Sequence, residues 1–183
     1  WGSIRQPSEI RVIMSIDNSD FLQQLTDITG NNGVIEDPSR GPGPIVRPRT
    51  TEEVSDIMKA CTEHKVPVVT FGGNTGLVQG THRTDGELGL SMERMNAIEE
   101  IDVAGRTMTV QAGAVLQTVQ ETAEEAGFLY PLDLGGRGTA TIGGNISTNA
   151  GGNRVIRYGM TRDQILALEI VLADGTVIPM QGP

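Results

Sequence analysis

The stretch that decides the fold is "IGGNISTNAGG", Ile142–Gly152, in which four of eleven residues are glycine and four more are Asn, Ser or Thr. This much glycine argues against a stable helix, and this many polar side chains argue against a buried strand. We therefore expect a loop whose backbone approaches a ligand closely. The alternative is a wide surface loop in which the small residues have no binding role.

Glycine is over-represented in the whole chain, with 24 of 183 residues, against an average of about 7%. The glycines are clustered, which argues against collagen or linker sequence and indicates backbone that turns sharply or touches a ligand. Hydrophobic residues reach 37% but aromatic residues only 3%, so the core must consist of aliphatic side chains and Met. Length and composition together predict one large or two small folded domains.

A second glycine cluster lies upstream, in "TFGGNTGLVQG" at residues 70–80. It follows the apolar, β-branched run 66–71, which predicts a strand. A strand that ends in Gly-Gly-Asn-Thr-Gly presents successive N–H groups in a tight curve, a backbone arrangement that binds anions such as phosphate. The cluster is neither a P-loop nor a G-x-G-x-x-G dinucleotide motif. A plain glycine-rich turn between strands remains the alternative.

The segments around these clusters alternate between helix and strand patterns. Residues 18–29 predict a helix capped by Asn18 or Ser19. Residues 44–71 read as strand, helix and strand, and Thr50 with Glu53 forms a capping-box pattern at the helix start. This order predicts a βαβ unit with parallel strands. Downstream we expect strands within 87–102 and 106–114, a helix over 114–127, and a hairpin turn at Asp174-Gly175.

Charge and composition exclude several classes of function. The net charge is −9, and no run of Lys or Arg supplies the basic face of a nucleic-acid binder. No apolar run approaches the about 18 residues of a membrane span. The single cysteine, Cys61, predicts a buried structural thiol in a reducing compartment, and we expect a cytoplasmic location. The two histidines, His64 and His82, lack metal-ligand spacing, so no metal site is predicted.

The two glycine clusters, with the "PLDLGGRG" segment at 131–138, closely resemble the flavin-binding domain of the vanillyl-alcohol oxidase/p-cresol methylhydroxylase superfamily. The similarity covers about residues 44–179. Within the superfamily it is strongest to the branch of D-2-hydroxyglutarate dehydrogenase, D-lactate dehydrogenase and the glycolate oxidase flavoprotein subunit. The resemblance implies an α+β, PCMH-type fold of two subdomains that hold FAD between them.

The resemblance also implies which residues bind the cofactor. The first cluster corresponds to the family's loop around the FAD diphosphate, the segment 131–133 lies near the flavin ring, and the second cluster forms a further cofactor loop. Covalently flavinylated relatives carry His where Asn74 stands, so we expect a dissociable FAD. The expected cofactor-binding residues are Gly72, Gly73, Asn74, Thr75, Gly76, Leu77, Pro131, Leu132, Asp133, Gly143, Gly144, Asn145, Ser147, Thr148, Gly151 and Gly152. No catalytic residue is expected within this chain.

We expect the chain to divide into four parts. Residues 1–13 resemble a vector-derived segment, 14–43 form an amino-terminal helix and linker, 44–104 form the first FAD-binding subdomain, and 105–183 form a second, incomplete one. The resemblance implies that the residues that grip the substrate lie in a further domain. This part of the protein alone should therefore not turn over substrate, and it should bind FAD weakly.

The function implied for the whole protein is oxidation of a D-2-hydroxy acid, of the lactate, glycolate or 2-hydroxyglutarate type, by hydride transfer to the flavin. The electron acceptor stays open. Two alternatives also stay open: a non-catalytic module of the same fold that binds a nucleotide or a partner, and an NADPH-using flavoprotein reductase on a related fold.

Overall fold

The computed structural model describes residues 19–180. The vector-derived segment predicted for residues 1–13 lies outside the described residues. Within 19–180, no helix combines the length and the apolar character needed to cross a membrane. The helices are α1 (Ser19–Thr29), α2 (Thr51–His64), α3 (Leu116–Glu125), α4 (Ile142–Ser147) and α5 (Val155–Tyr158). The strands are β1 (Val34–Glu36), β2 (Pro44–Val46), β3 (Val68–Phe71), β4 (Leu88–Ser91), β5 (Ile98–Asp102), β6 (Thr107–Val110), β7 (Ile170–Val171) and β8 (Val177–Ile178).

The first unit is a four-stranded sheet in the order β1-β2-β4-β3. Strands β2 and β3 both run parallel to β4, which lies between them. The predicted parallel pairing is confirmed, although the two strands that flank α2 are not direct neighbours. Strand β1 pairs antiparallel with β2 and was missed in the sequence, because it lies among the Gly and Pro residues that indicated only a loop.

Helices α1 and α2 cover this sheet with their apolar faces. Phe21 and Leu25 of α1 pack with Ile57 and Cys61 of α2 in one core cluster. Burial raises the pKa of Cys61 to about 12, which agrees with the predicted structural thiol. At the start of α2 the Thr50 hydroxyl accepts a hydrogen bond from the Glu53 amide, as the capping pattern predicts.

The second unit contains antiparallel pairs and its own core. Strands β5 and β6 form one hairpin, and β7 and β8 form another around the predicted Asp174-Gly175 turn. Helix α3 packs its apolar face toward the segment that leads into α4. The buried residues of this second core are Ala114, Leu116, Val119, Leu132, Ala140 and Ile142.

Helix α2 is bonded to the β7–β8 turn by its hydroxyl side chains. Buried Ser55 donates from Oγ to the Gly175 carbonyl over 2.6 Å, and Thr62 donates from Oγ1 to the Ala173 carbonyl over 2.8 Å. The turn thus lies against the first unit, although its strands belong to the part assigned to the second subdomain. The division at residue 104 stays a prediction.

Candidate functional site

The first glycine segment packs directly against the chain that enters the second one. A methyl group at Gly72 would lie 2.0 Å from Thr141 Oγ1, and one at Gly73 would lie 1.7 Å from the Thr139 carbonyl oxygen. Real side chains do not approach this closely, so only glycine allows the contact. The structure therefore brings the start of the first segment to the start of the second.

Beyond this contact the first segment extends into solvent. Thr75 is the neighbour of Gly136, with 3.2 Å between the position of a methyl group at Gly136 and Thr75 Cγ2. Asn74 is exposed and has a left-handed backbone, with φ of 52°. Within residues 19–180, and apart from its chain neighbours, no atom lies within 4 Å of a methyl group placed on Gly76, and Leu77 is 97% exposed. This exposed tip has space beside its backbone for a ligand.

The second glycine segment begins as a helix, which corrects the expectation of a loop. Ile142–Ser147 forms α4 because Ile142 is buried in the second core and Ile146 packs against it. The Ile142 amide donates to the Ala114 carbonyl over 2.9 Å, and the Gly143 amide donates to the Ala112 carbonyl over 2.7 Å. Packing of two isoleucines at helical spacing thus outweighs the low helix propensity of glycine.

The polar side chains of α4 differ in how far they are satisfied. The hydroxyls of Ser147 and Thr148 bond back to the carbonyls of Gly143 and Gly144, at 2.8 and 2.9 Å. Asn145 is 5% exposed, and its Oδ1, which is closed to solvent, has no hydrogen-bond partner among residues 19–180. Since buried acceptors are normally paired, this atom could still accept a hydrogen bond, although Asn145 lines none of the cavities described below.

The segment 131–133 lies against the far end of the second glycine segment. A methyl group at Gly152 would lie 2.4 Å from the Asp133 carbonyl oxygen, and the Asn153 amide donates to that oxygen over 3.2 Å. The Asp133 carboxylate is 3.8 Å from Arg154 Nε. Pro131 is buried, and Leu132 belongs to the second core, although both also line the small gap beside Gly151 and Gly152.

The cavities bring together only part of the predicted site. A cavity of about 730 Å³ lies between α2, the end of β4, β6 and α4, and its lining includes Gly143 and Ser147 but none of residues 72–77 or 131–133. A gap of about 10 Å³ separates 131–133 from Gly151 and Gly152. The segment 131–152 therefore takes part in two separate places: it contacts residues 72–73 at one and borders the gap at residues 151–152 at the other.

The remaining candidate side chains have structural contacts or surface positions. His64 packs against Phe21, with ring centroids 5.0 Å apart, and its Nε2 lies 3.2 Å from Gln24 Oε1. His82 is exposed. Across residues 19–180, no group of three or more His, Cys, Asp or Glu side chains is arranged to hold a metal ion.

Sequence reasoning missed several residues that build this region. Thr139 and Thr141 receive the first glycine segment, and Gly136 lies beside Thr75. Near Leu132, the Tyr130 hydroxyl is buried and has no hydrogen-bond partner in the part of the chain that the structure describes, and burial raises the pKa of Tyr130. Five of the six residues from Gly136 to Thr141 are small. This was the sequence signal for a close backbone contact, because only small side chains allow two backbones to approach so closely.

Curated relatives with dehydrogenase or oxidase names are similar to this chain. The D-2-hydroxyglutarate dehydrogenase of Bos taurus, named as mitochondrial, is 47% identical over 134 residues, which are 73% of this chain and 25% of the relative. The corresponding Arabidopsis thaliana protein is 37% identical over 182 residues, or 92% and 32%. The glycolate oxidase subunit GlcD of Bacillus subtilis is 43% identical over 141 residues, or 77% and 30%. The chain therefore spans about a third or less of these relatives.

The expectation of a cytoplasmic location is wrong, because the Bos taurus and Arabidopsis thaliana relatives are both named mitochondrial. That expectation depended on one unpaired cysteine. An unpaired thiol is compatible with any reducing compartment and does not distinguish the cytoplasm from the others.

Solved structures share the fold at low sequence identity. An alkyldihydroxyacetonephosphate synthase superposes with a TM-score of 0.83 at 18% identity, covering 98% of this chain and 38% of that one. A p-cresol methylhydroxylase superposes with a TM-score of 0.71 at 21% identity, covering 87% and 34%. The predicted α+β, PCMH-type fold is confirmed.

The family is identified by the chain's own match to it. Residues 42–181, well over half of the chain, match the FAD binding domain family FAD_binding_4. The match includes both glycine segments and the connection between them, and it confirms FAD as the predicted cofactor; that the FAD is dissociable stays a prediction. The chain belongs to the FAD_binding_4 family of FAD binding domains.

Proposed function

We propose that this chain is the FAD-holding part of a flavin-dependent dehydrogenase or oxidase that oxidises a D-2-hydroxy acid. The observation that carries the proposal is the contact of Gly72 and Gly73 with Thr139 and Thr141, which brings the start of the first glycine-rich segment against the chain that enters the second. The names of the similar dehydrogenases and of the glycolate oxidase subunit support the hydroxy-acid class.

The residues present suit a large anionic cofactor with hydrogen-bonding ring edges. The exposed backbone at 74–76 would hold the diphosphate through its amides, because glycine leaves no side chain in the way. The unpaired Oδ1 of Asn145 is closed to solvent, so it would accept a hydrogen bond from the cofactor only after a local rearrangement of α4. Gly143, Gly144, Gly151 and Gly152 would allow close approach of a flat ring.

Bound FAD supplies the redox chemistry by accepting a hydride from the substrate carbon that bears the hydroxyl group. The role of this chain is to bind and orient the cofactor. We propose that the groups that grip the substrate and remove its hydroxyl proton lie outside these 183 residues, so that this part alone does not turn over substrate.

Asn145→Leu tests the cofactor site directly. Without ligand, the substitution removes an unpaired buried acceptor and keeps the branched shape, but it adds volume at a buried position, so the melting temperature should change little. With FAD, it removes a hydrogen bond, so the dissociation constant measured by calorimetric titration should increase by about tenfold, a loss of about 1.4 kcal/mol. Unchanged affinity would remove Asn145 from the site.

A second measurement tests the reaction class. The protein extended to the length of its relatives should be yellow when purified and should reduce a dye with D-2-hydroxy acids but not with their L-enantiomers. Bound FAD without any such turnover would favour a non-catalytic nucleotide-binding module, and turnover with NADPH would favour a reductase. Absence of FAD binding even with added cofactor would contradict the proposal altogether.

A further inference from the structure

The long loop between β3 and β4, residues 72–87, is fixed to the protein by an unusual anchor. Arg83 is 3% exposed and is the single buried residue of this loop. The loop's two large apolar side chains, Leu77 and Val78, are 97% and 77% exposed instead. A charged side chain thus has the place that an apolar residue normally occupies when a loop is pinned to a core.

Arg83 connects three separate pieces of the first unit. Its Nη1 donates to the Pro44 carbonyl and its Nη2 donates to the Arg40 carbonyl, both over 3.0 Å. Its guanidinium lies 5.6 Å from the centre of the Phe71 ring, and the Arg40 guanidinium lies 5.1 Å from the same ring. Arg40, Phe71 and Arg83 are called the arginine clamp below. Because Phe71 is the last residue of β3, the clamp ties the far end of the loop to its beginning.

Two glycines, Gly41 and Gly89, lie so close to the Arg83 guanidinium that a larger side chain at Gly89 would displace it. A methyl group at Gly89 would lie 2.6 Å from Arg83 Nη1, and one at Gly41 would lie 3.4 Å from its Nε. No carboxylate lies within ion-pair distance of Arg83 among residues 19–180, and its buried Nε has no partner. Burial lowers the pKa of Arg83 and the positive charge of Arg40 adds to this, while the negative charge of Glu87 opposes both only in part.

Burying an unpaired cation is unfavourable, so a role in stability alone would be met better by an apolar side chain. Arg83 also fixes the orientation of the loop, because its planar guanidinium donates hydrogen bonds to carbonyls of two different segments at once. The loop is then held at both ends: by Gly73 against Thr139 at its start and by Arg83 at its end. The exposed tip 74–80 lies between these two attachments.

We propose that Arg83 is a positioning residue that sets the shape of the loop expected to hold the FAD diphosphate. The inference rests on the proposed function for the identity of the ligand. A loop that is already in its binding shape loses less conformational freedom when the ligand binds, so the anchor should appear in affinity as well as in stability.

The test compares Arg83→Gln with Arg94→Gln in the full 183-residue chain. Arg94 is a matched control, because its Nη1 also donates to a backbone carbonyl of this unit over 3.0 Å, but that carbonyl belongs to Arg47, outside the loop. At a temperature at which both variants are folded, Arg83→Gln should raise the FAD dissociation constant by about tenfold or more, and Arg94→Gln by less than about twofold. Amide hydrogen exchange should accelerate within 72–87 for Arg83→Gln only.

Two further variants keep the test decisive if Arg83→Gln does not fold. Gly89→Ala keeps the arginine but displaces its guanidinium, and it should weaken FAD binding in the same direction. Arg83→Lys keeps the charge but cannot bond both carbonyls in a fixed plane, so it should not restore affinity. A folded Arg83→Gln that binds FAD like the parent, or an equal loss in Arg94→Gln, would overturn the inference. If the 183-residue chain binds FAD too weakly to measure, the variants are compared in the protein extended to the length of its relatives. Absence of FAD binding there means that the proposed function fails, and loop exchange alone then decides whether Arg83 holds the loop.

Discussion

The two glycine-rich segments have similar compositions but different structures. The first, at 72–80, is an exposed loop that touches the protein mainly at its ends, whereas the second, at 142–152, begins as a helix on the second core. The difference lies in the apolar residues between the glycines. Ile142 and Ile146 are spaced to pack on one side of a helix, while Leu77 and Val78 are adjacent and exposed.

Glycine content therefore does not determine the local structure by itself. Where apolar side chains reach a core, glycine is tolerated within a helix. Where they do not, the chain is held by contacts at its ends, in this case Gly73 on Thr139 and Arg83 on two carbonyls. The second segment should depend on its packing and the first on its attachments.

Ile142→Ala should have the largest effect, because it removes a buried side chain that holds the second segment. Substitutions of this kind typically cost about 2–5 kcal/mol. Ile156→Ala is the matched control, since Ile156 is fully exposed and its loss should change stability by less than about 0.5 kcal/mol. Chemical denaturation measures both. Equal, small effects would mean that α4 does not depend on packing.

Gly73→Ala should have the next largest effect, because it forces apart the two segments where they meet. The added methyl group overlaps the Thr139 carbonyl, and overpacking of this kind costs about 1–3 kcal/mol. We also expect weaker FAD binding in a titration. Gly80→Ala adds the same methyl group where no other atom of residues 19–180 lies within 4 Å, apart from its chain neighbours, and should leave stability unchanged. If Gly73→Ala binds FAD normally, the contact is not part of the site.

Acid should destabilise the first unit by protonating Glu93, which forms ion pairs with Arg40 and Arg47. We expect this effect to be smaller than those of the two substitutions above. Burial tends to raise the pKa of Glu93, but hydrogen bonds from Arg47 and Arg40 outweigh it, so the pKa lies below the usual 4.5. A lowered pKa means that the stabilisation is present above pH 4.5 and is lost as the pH falls through the folded-state value.

Melting temperatures recorded from pH 6 downwards test this effect. In Glu93→Gln the part of the acid sensitivity that comes from this carboxylate should disappear, whereas Glu100→Gln, at an exposed position on β5, should behave like the parent. Since Glu93 is 38% exposed, solvent screens its ion pairs and the difference should be modest. Superimposable curves for Glu93→Gln and the parent would remove Glu93 from the acid response.

Much of the fold could be predicted because its signals are local. The α2 cap, the parallel strands and the Asp174-Gly175 turn each depend on residues close together in the sequence. Helix α4 could not be predicted from its glycines, because its stability comes from a core assembled by Ala114 and Leu116 far upstream. The predicted site residues were chosen by resemblance. Their neighbour Thr139 and the anchor Arg83 were missed because these contacts join distant segments.

The hydrogen bonds between α2 and the β7–β8 turn affect how the protein unfolds. Ser55 and Thr62 hold carbonyls of the turn, so α2 cannot melt without freeing them, and the turn cannot peel away without exposing a buried hydroxyl. Early and late parts of the sequence should consequently unfold in one cooperative transition. A tryptic cut at Lys59, which lies on α2 between these two bonds, should then require opening of both regions together.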